Sequence, residues 1–338
     1  MSQNPMNKNS RTWIAIVNYR TADLVVQCLR SLSSQIEDLG GGRVLVMDNA
    51  SGDASVTTLN NAIEREGWQG WVSVLPLDRN GGFAFGNNAG IRLALASPAG
   101  FDYLFLLNPD TQVRPDAIKS LVDFMQRHTQ VGIAGSQIEN AEGGMECSAH
   151  RFHSPLGALA EGARLGVLDR LLASHLISPP ARSDAHQCDW VSGAGMMIRR
   201  KVFEDIGLMD ESYFLYFEEQ DFCRRAIMAG WQIWYVPESK IMHIEGAATG
   251  IQQVAKRRPA YWYNSRRRYF TKSFGITGLV VTDILWAMGR LSYLARRAMG
   301  LGAKGEARDP KWFMWDILWG DLRSILNGQA WRIARKRI

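Results

Sequence analysis

Three acids, Glu218, Glu219 and Asp221, follow Phe214, Tyr216 and Phe217 in the stretch SYFLYFEEQDFCRRAIMAGW. Carboxylates beside apolar surface are costly to ionise unless a partner or a reaction uses them. The run EEQDFCRRAIMAG has helical character, so Asp221 and Arg225, four residues apart, form a pair that orients the segment, with Glu218 in support. Glu219 points to another side. A helix start favours its ionised form, whereas the aromatic wall favours the protonated one. A carboxylate balanced in this way can take a proton from a hydroxyl. Taken alone, the cluster reads as caps on a solvated turn.

Other polar groups supply what such a base would act with. In LLNPDT an apolar run ends in Asn108-Pro109-Asp110, and Pro109 stiffens the turn that aims both side chains. Asp110 can bind Mg²⁺ or Mn²⁺ through oxygen, and His243 in KIMHIEG can add a nitrogen acceptable to Mn²⁺. Each has a plainer reading, an Asx turn for Asp110 and a structural histidine for His243. The glycines of RNGGFAFGNNAG let the backbone approach a ligand closely before a helix begins. No GxxxxGK[ST] loop occurs and no GxGxxG follows a strand to open a helix, so NTPase and dehydrogenase readings lack their phosphate cradles.

Strand–helix alternation must place these groups. TWIAIVNY, RVLVMDN, WVSVLPL, YLFLLNPD and VGIAGSQI read as strands. Between them ADLVVQCLRSL, with Thr21 as N-cap, GNNAGIRLALA, and PDAIKSLVDFMQRH, with Pro115 at its start, read as helices. An α/β fold with a mostly parallel sheet follows, and ligands of such sheets bind beyond the carboxyl ends of the strands. Asn18 and Tyr19, Asp48 and Asn49, and Asn108 and Asp110 stand at three such ends. Residues 139–185 show no clear period. After them DWVSGAGMMIRRKVFEDIG reads as strand, turn and helix, and WQIWYVP and KIMHI as two short strands.

The chain has 338 residues and a net charge of +6. From Lys256 onward 18 Lys+Arg face 5 Asp+Glu, while the preceding part is net acidic. An acidic body with a basic tail suggests contact with phosphates or lipid headgroups, and no nucleic-acid module is recognisable. Trp312, Trp315, Trp319, Leu322 and Leu326 fall on one helical face, as suits a helix in a membrane interface or one packed on the body or a dimer partner. Asp283, Arg290 and Arg297 recur every seven residues in an earlier amphipathic stretch. No uninterrupted apolar run approaches the ~20 residues of a membrane span. The N-terminal MSQNPMNKNSR has no apolar core, so no secretory signal is expected, and four dispersed cysteines read as reduced cytosolic thiols. The expected divisions are a disordered polar tail over 1–11, a catalytic domain over 12–250 with halves meeting near 138, and a basic helical extension over 251–338.

In this order and spacing, IVNYRTADLVVQCLRSL, VMDNASGD, RNGGFAFGNNAG, LLNPDT, WVSGAGMMIRRKVFEDIGLMDESYFLYFEEQDFCRRAIMAGWQIWYVP and HIEG resemble the family 2 nucleotide-sugar glycosyltransferases of GT-A fold, rhamnosyltransferase-like branch. The resemblance implies a donor pocket of Asn18, Tyr19, Asp48, Asn80, Gly81, Gly82 and Asn108, with Tyr19 stacked on the base. It implies a divalent cation, Mg²⁺ or Mn²⁺, at Asp110 and His243, and an acceptor site shaped by Trp190, Gly193 and Ala194. Glu219 takes the place of the general base, supported by Glu218, Asp221 and Arg225. Asn108 stands where the family's DxD motif has its first Asp, and Glu219 where the base is Asp. The implied reaction is inverting transfer of a sugar, L-rhamnose from dTDP-L-rhamnose in preference, to an acceptor hydroxyl. The basic, tryptophan-faced tail suggests that the acceptor is a glycan on a lipid diphosphate and that the chain lies in the cytoplasm on the inner face of the membrane, where Arg266–Phe270 is a candidate diphosphate contact; a homo-oligomer is an open option. The competing readings are a sugar-1-phosphate nucleotidyltransferase, whose N-terminal Arg/Lys signature VNYRTADL lacks, and a non-catalytic scaffold on the same fold.

Overall fold

A computed structural model describes residues 10–244, 256–301 and 309–335. The extreme N-terminal residues, residues 245 and 246 of the HIEG motif, and the last basic residues lie outside the described part. In chain order the elements begin β1 (Thr12–Asn18), α1 (Ala22–Ser33), β2 (Val44–Asp48), α2 (Ser55–Arg65), β3 (Val72–Pro76), α3 (Gly82–Ala96), β4 (Tyr103–Leu107), β5 (Thr111–Val113), α4 (Ala117–Arg127) and β6 (Val131–Glu139). They continue with β7 (Met145–Glu146), β8 (Ala149–His150), α5 (Pro155–Ala163), α6 (Gly166–Leu171), β9 (His186–Gln187), β10 (Trp190–Val191), β11 (Gly195–Arg199), α7 (Arg200–Ile206), α8 (Glu218–Met228) and β12 (Gln232–His243). The helices α9 (Ala260–Ala298), α10 (Phe313–Leu326) and α11 (Gln329–Ala334) close it.

Two compact units result. The first takes the described residues up to His150, Pro180–Phe214 and those from Glu218 to residue 244; the second takes Arg151–Pro179, Leu215–Phe217 and the described residues from 256 on.

In the first unit the main sheet runs β3-β2-β1-β4-β11-β6-β12-β5. Pairs β1–β2, β2–β3, β1–β4 and β6–β12 are parallel, whereas β11 runs antiparallel to β4 and β6. Period-two alternation assigns the faces. Ile14, Ile16, Val44, Val46, Phe105 and Leu107 belong to one buried cluster with Val25 and Leu29 of α1, Leu59 of α2 and Leu121 of α4. Met47 points to the opposite face, where its sulfur lies against Gly90 of α3. The chain steps outward from β1 to β2 and β3, then returns to place β4 on the other side of β1. That reversal opens a crevice at the carboxyl ends of β1 and β4.

Three local expectations change. WQIWYVP and KIMHI form one strand, β12, which shifts register on β6 between Val236 and Lys240. Pro115 precedes α4 without entering it, because Asp116 adopts φ +61° before the helix starts. Residues 139–185 contain α5 and α6, short helices whose apolar pattern is too brief to show a period.

The second unit is helical. In α9, Gly275 at φ 74° and ψ −177° breaks the ladder, a conformation open only to glycine, so two helical halves meet there. Arg266 of the first half pairs with Asp283 (2.8 Å) of the second half and with Asp321 (3.0 Å) of α10, and Arg267 also meets Asp321 (2.5 Å). Both arginines are buried. The sequence offers Arg266–Phe270 as a diphosphate contact or a solvated face, and Arg266 and Arg267 are neither, since their guanidinium groups are committed to internal carboxylates.

Candidate active site

The site starts at the end of β1. Asn18 is fully buried; its Nδ2 donates to Asp48 Oδ1 (2.6 Å) and Ser51 Oγ (3.3 Å). Its Oδ1 accepts from the Thr21 backbone (3.1 Å) and hydroxyl (3.0 Å). Thr21 therefore holds the N-cap position of α1 without a side-chain cap, because its hydroxyl serves the buried amide. Asp48 accepts from Ser51 Oγ (2.6 Å) and from the Ser51 N–H (3.1 Å). Asn18 and Asp48 thus order the turn, and Tyr19, 39% exposed, is the side chain presented at the strand end. The Arg20 guanidinium stands 5.2 Å from the Tyr19 ring centroid, held by its Nε donating to the Ser51 carbonyl (2.9 Å).

The glycine-rich segment follows β3. Asn80 Oδ1 accepts from the Gly82 N–H (3.1 Å), and Asn49 Nδ2 donates to the Gly82 carbonyl (3.0 Å). These bonds start α3 at Gly82, four residues earlier than the sequence pattern suggests. Gly82 has φ +86°, and a Cβ there would lie 1.8 Å from the Phe214 carbonyl oxygen. Phe214 O in turn accepts from the Phe83 N–H (2.9 Å). Gly81 packs edge-on to Phe85, leaving no room for a side chain without moving that ring.

At the end of β4 the expected cation ligands meet. Asp110 Oδ1 is 3.2 Å from His243 Nε2, and Asn108 Nδ2 is 3.4 Å from the same nitrogen. Pairing of β12 with β5 carries His243 to this place from far along the chain. The Ala194 carbonyl accepts from the Asn108 N–H (3.2 Å), so the loop before β11 fixes the Asn-Pro-Asp turn. Beside it Gly193 lies near Phe83, and Trp190 is buried with its ring stacked on His150 at 4.2 Å. Trp190 is therefore a wall of its loop, with little surface left for a ligand.

One carboxylate and one amide, each beside the same imidazole nitrogen, are a donor set that suits Mn²⁺ or Mg²⁺, which complete their shells with water and phosphate oxygens. Among the described residues no cluster of three His, Cys, Asp or Glu side chains offers an all-protein cage.

Directly before α8, Tyr216 and Phe217 both have positive φ, 69° and 70°. Consecutive non-glycine residues in that region store strain, a feature that collects at functional sites. In α8 Asp221 is fully buried, accepting from Tyr213 OH (3.2 Å) and Arg225 Nε (3.1 Å). Arg225 also donates to the carbonyls of Ile206 and Leu208 (both 2.8 Å), tying α8 to the loop after α7. Glu218 is buried at the helix start. Among the described residues nothing donates a hydrogen bond to the buried Oε2 of Glu219, and burial pushes its carboxyl up from 4.5 to about 7, opposed in part by its own backbone N–H.

Sequence reasoning missed Ser51, which joins Asn18, Asp48 and Arg20, and underweighted Asn49, which anchors Gly82. Their signal is present in VMDNASGD, where Ser51 bonds Asp48 within the turn and Asn49 reaches out of it to the glycine-rich segment. The Phe214 carbonyl and the strained pair after it leave no trace in residue type.

The glycosyltransferase like family 2 model matches residues 10–265. The chain belongs to this family. It is a glycosyltransferase, and its relatives include rhamnosyltransferases. N-acetylglucosaminyl-diphospho-decaprenol L-rhamnosyltransferase of Mycobacterium tuberculosis is 30% identical over 218 residues, 61% of this chain and 68% of that one. Rhamnosyltransferase WbbL of Escherichia coli K12 is 22% identical over 266 residues, 78% of this chain and 88% of its own. Among solved structures, GalNAc-T7 with UDP, GalNAc and Mn²⁺ aligns with a TM-score of 0.59 at 15% identity, over 94% of this chain and 58% of that one. The last comparison speaks for the fold alone, and the fold is GT-A.

Proposed function

We propose that this glycosyltransferase moves a sugar, L-rhamnose from dTDP-L-rhamnose, to a hydroxyl of a glycan carried on a lipid diphosphate, with inversion. The observation that carries the mechanism is Glu219, a carboxyl with a sequestered oxygen poised near neutrality, in the same unit as the Asp110–His243–Asn108 group. The donor and acceptor are supported by the mycobacterial relative, whose name specifies an L-rhamnosyl group and a diphospho-decaprenol.

Tyr19 stacks on the base, while Asn80, Gly81 and Gly82 let the start of α3 come close to the diphosphate, where the helix dipole favours negative charge. Asp110 and His243 would hold a divalent cation, with Asn108 beside it, and that cation would neutralise charge on the departing diphosphate. Glu219 Oε2 takes the proton of the acceptor hydroxyl. The acceptor oxygen forms its bond to the anomeric carbon as the bond to the diphosphate oxygen breaks, and that oxygen leaves with the electron pair. One displacement of this kind inverts the anomeric centre. The enzyme works on the cytoplasmic side of the membrane, with its C-terminal unit against the lipid.

Thermal unfolding with a panel of nucleoside diphosphates, with and without Mn²⁺, tests the donor. A metal-dependent shift largest with dTDP supports the reading. A UDP or GDP preference overturns the rhamnosyl assignment, and absence of any shift points to a scaffold that has kept only the fold.

A further inference from the structure

The distal helices of the second unit carry an apolar face outward as well as inward. In α9 beyond Gly275, Thr282, Asp283 and Arg290 are buried, whereas Val280, Val281, Ile284, Met288, Leu291 and Leu294 remain 38% to 58% exposed. The exposed positions recur at helical spacing and form the face opposite the buried one. The pattern repeats in α10, where Phe313 and Ile317 are buried and a second apolar face is not. Asp321 and Ser324 are buried there, while Trp312 at its N-cap, Trp315, Trp319, Leu322 and Leu326 are 46% to 75% exposed. The inward polar groups are paired: Asp283 and Asp321 with Arg266, Arg290 with Asp309 (3.2 Å), and the Thr282 hydroxyl with the Gly278 carbonyl (2.7 Å).

A helix at a water-facing surface buries its apolar stripe and turns its charges outward. Here both helices bury one apolar set, Trp286 and Tyr293 in α9 and Phe313 and Ile317 in α10, together with ionisable groups, and leave a second apolar face in water that is far more than scattered single residues. Hydrocarbon removes the conflict. Leu, Ile, Val and Met then face lipid, ionisable groups face one another inside the unit, and tryptophan takes the boundary between chains and headgroups. Arg297, Lys311, Arg323 and Arg332 are exposed on the same helices or next to them. They complement anionic headgroups, whereas a second copy of this chain would bring like charges together.

We infer that α10 and the distal half of α9 are immersed in the apolar layer of a lipid membrane, beyond adsorption of a basic tail to its surface. By length and composition α9 is able to cross a bilayer. The 14 residues of α10 reach only about 21 Å, short of the ~30 Å hydrocarbon core, so the unit enters from one side. This rests on the membrane contact proposed above and replaces its electrostatic form with a hydrophobic one.

The test is flotation of the full-length protein with phosphatidylcholine vesicles and with mixed phosphatidylcholine–phosphatidylglycerol vesicles, at low salt and at about 1 M salt, where surface charge is screened within ~3 Å. The immersed unit floats with both vesicle types at both salt concentrations, and brominated lipid quenches its tryptophan fluorescence. The substitutions Ile284→Lys, Met288→Lys and Leu291→Lys lie on the exposed face, and each lowers partitioning by about tenfold or more. Release from all vesicles by salt overturns immersion and leaves surface adsorption; failure to float with either vesicle overturns both. A lipid-free dimer that the triple variant converts to monomer assigns these faces to a second copy and likewise overturns the inference. Nucleoside diphosphate release with a water-soluble acceptor analogue, retained in the triple variant, keeps the transferase reading separate from all these outcomes.

Discussion

Replacing Glu219 by Gln separates the proposed base from its surroundings with almost no change of shape. The wild-type carboxyl is raised from 4.5 to about 7 because its Oε2 is removed from water without a donor in return. That difference corresponds to at most about 3 kcal/mol between the two protonation states. A carboxyl whose folded pKa lies above its unfolded value keeps a proton in the native state that the unfolded chain has lost. Stability is therefore full below pH 4.5 and falls as pH rises from there to about 7, where the loss is complete. The amide cannot ionise, so Glu219→Gln flattens this decline and is the more stable protein at pH 8, by up to about 3 kcal/mol. Activity moves the other way. Wild-type turnover climbs with pH to a half-maximum near 7, the pH at which half of the base is ionised, and the variant loses about 10²- to 10⁴-fold in turnover with nucleotide binding retained. Chemical denaturation at pH 5 and pH 8 measures the first effect; coupled detection of released nucleoside diphosphate measures the second. Turnover within tenfold of wild type, or a half-maximum at the ordinary carboxylate value, refutes the assignment of Glu219 as base.

Asp110→Asn leaves His243 without its carboxylate neighbour, and calorimetric titration of Mn²⁺ in the presence of dTDP shows affinity lowered by tenfold or more. Gly82→Ala drives a methyl group into the Phe214 carbonyl at a backbone angle that disfavours it, so urea unfolding shows a loss of about 2–4 kcal/mol together with impaired donor binding. Tyr19→Ala removes an exposed ring that makes no hydrogen bond to the core; KM for the donor rises about tenfold, from a base-stacking loss of about 1–3 kcal/mol, while the melting temperature stays within 2 °C of wild type by the usual range for surface changes.

Much of the catalytic unit was legible before any coordinates. Apolar runs such as TWIAIVNY and YLFLLNPD are too short for helices and too continuous for half-exposed strands, so they specify a buried, largely parallel sheet. The polar residues that end them, Asn18, Asp48 and Asn108, stand where ligands of such a sheet bind. The Asp221–Arg225 pair was equally visible, because spacing of four residues is a property of the helix itself. Tertiary structure alone divided the strand-end residues into those that order turns, Asn18 and Asp48, and the one they present, Tyr19. It also brought His243 to Asp110, since that meeting depends on the pairing of β12 with β5 across more than a hundred residues.

The elevated affinity of Glu219 for its proton belongs to the same class, because desolvation is a property of everything packed around a group. The C-terminal helices show the limit most plainly. Their periodicity states that Trp315, Trp319 and Leu322 share one face and that Asp283 and Arg290 share another, and it is silent on which face points inward. Partners distant in sequence decided that: Arg266 lies between Asp283 and Asp321 and draws those charges inside beside Trp286 and Ile317, leaving Trp315, Trp319 and Leu322 outward. Local sequence determines the faces of a helix; only the fold determines which solvent each face meets.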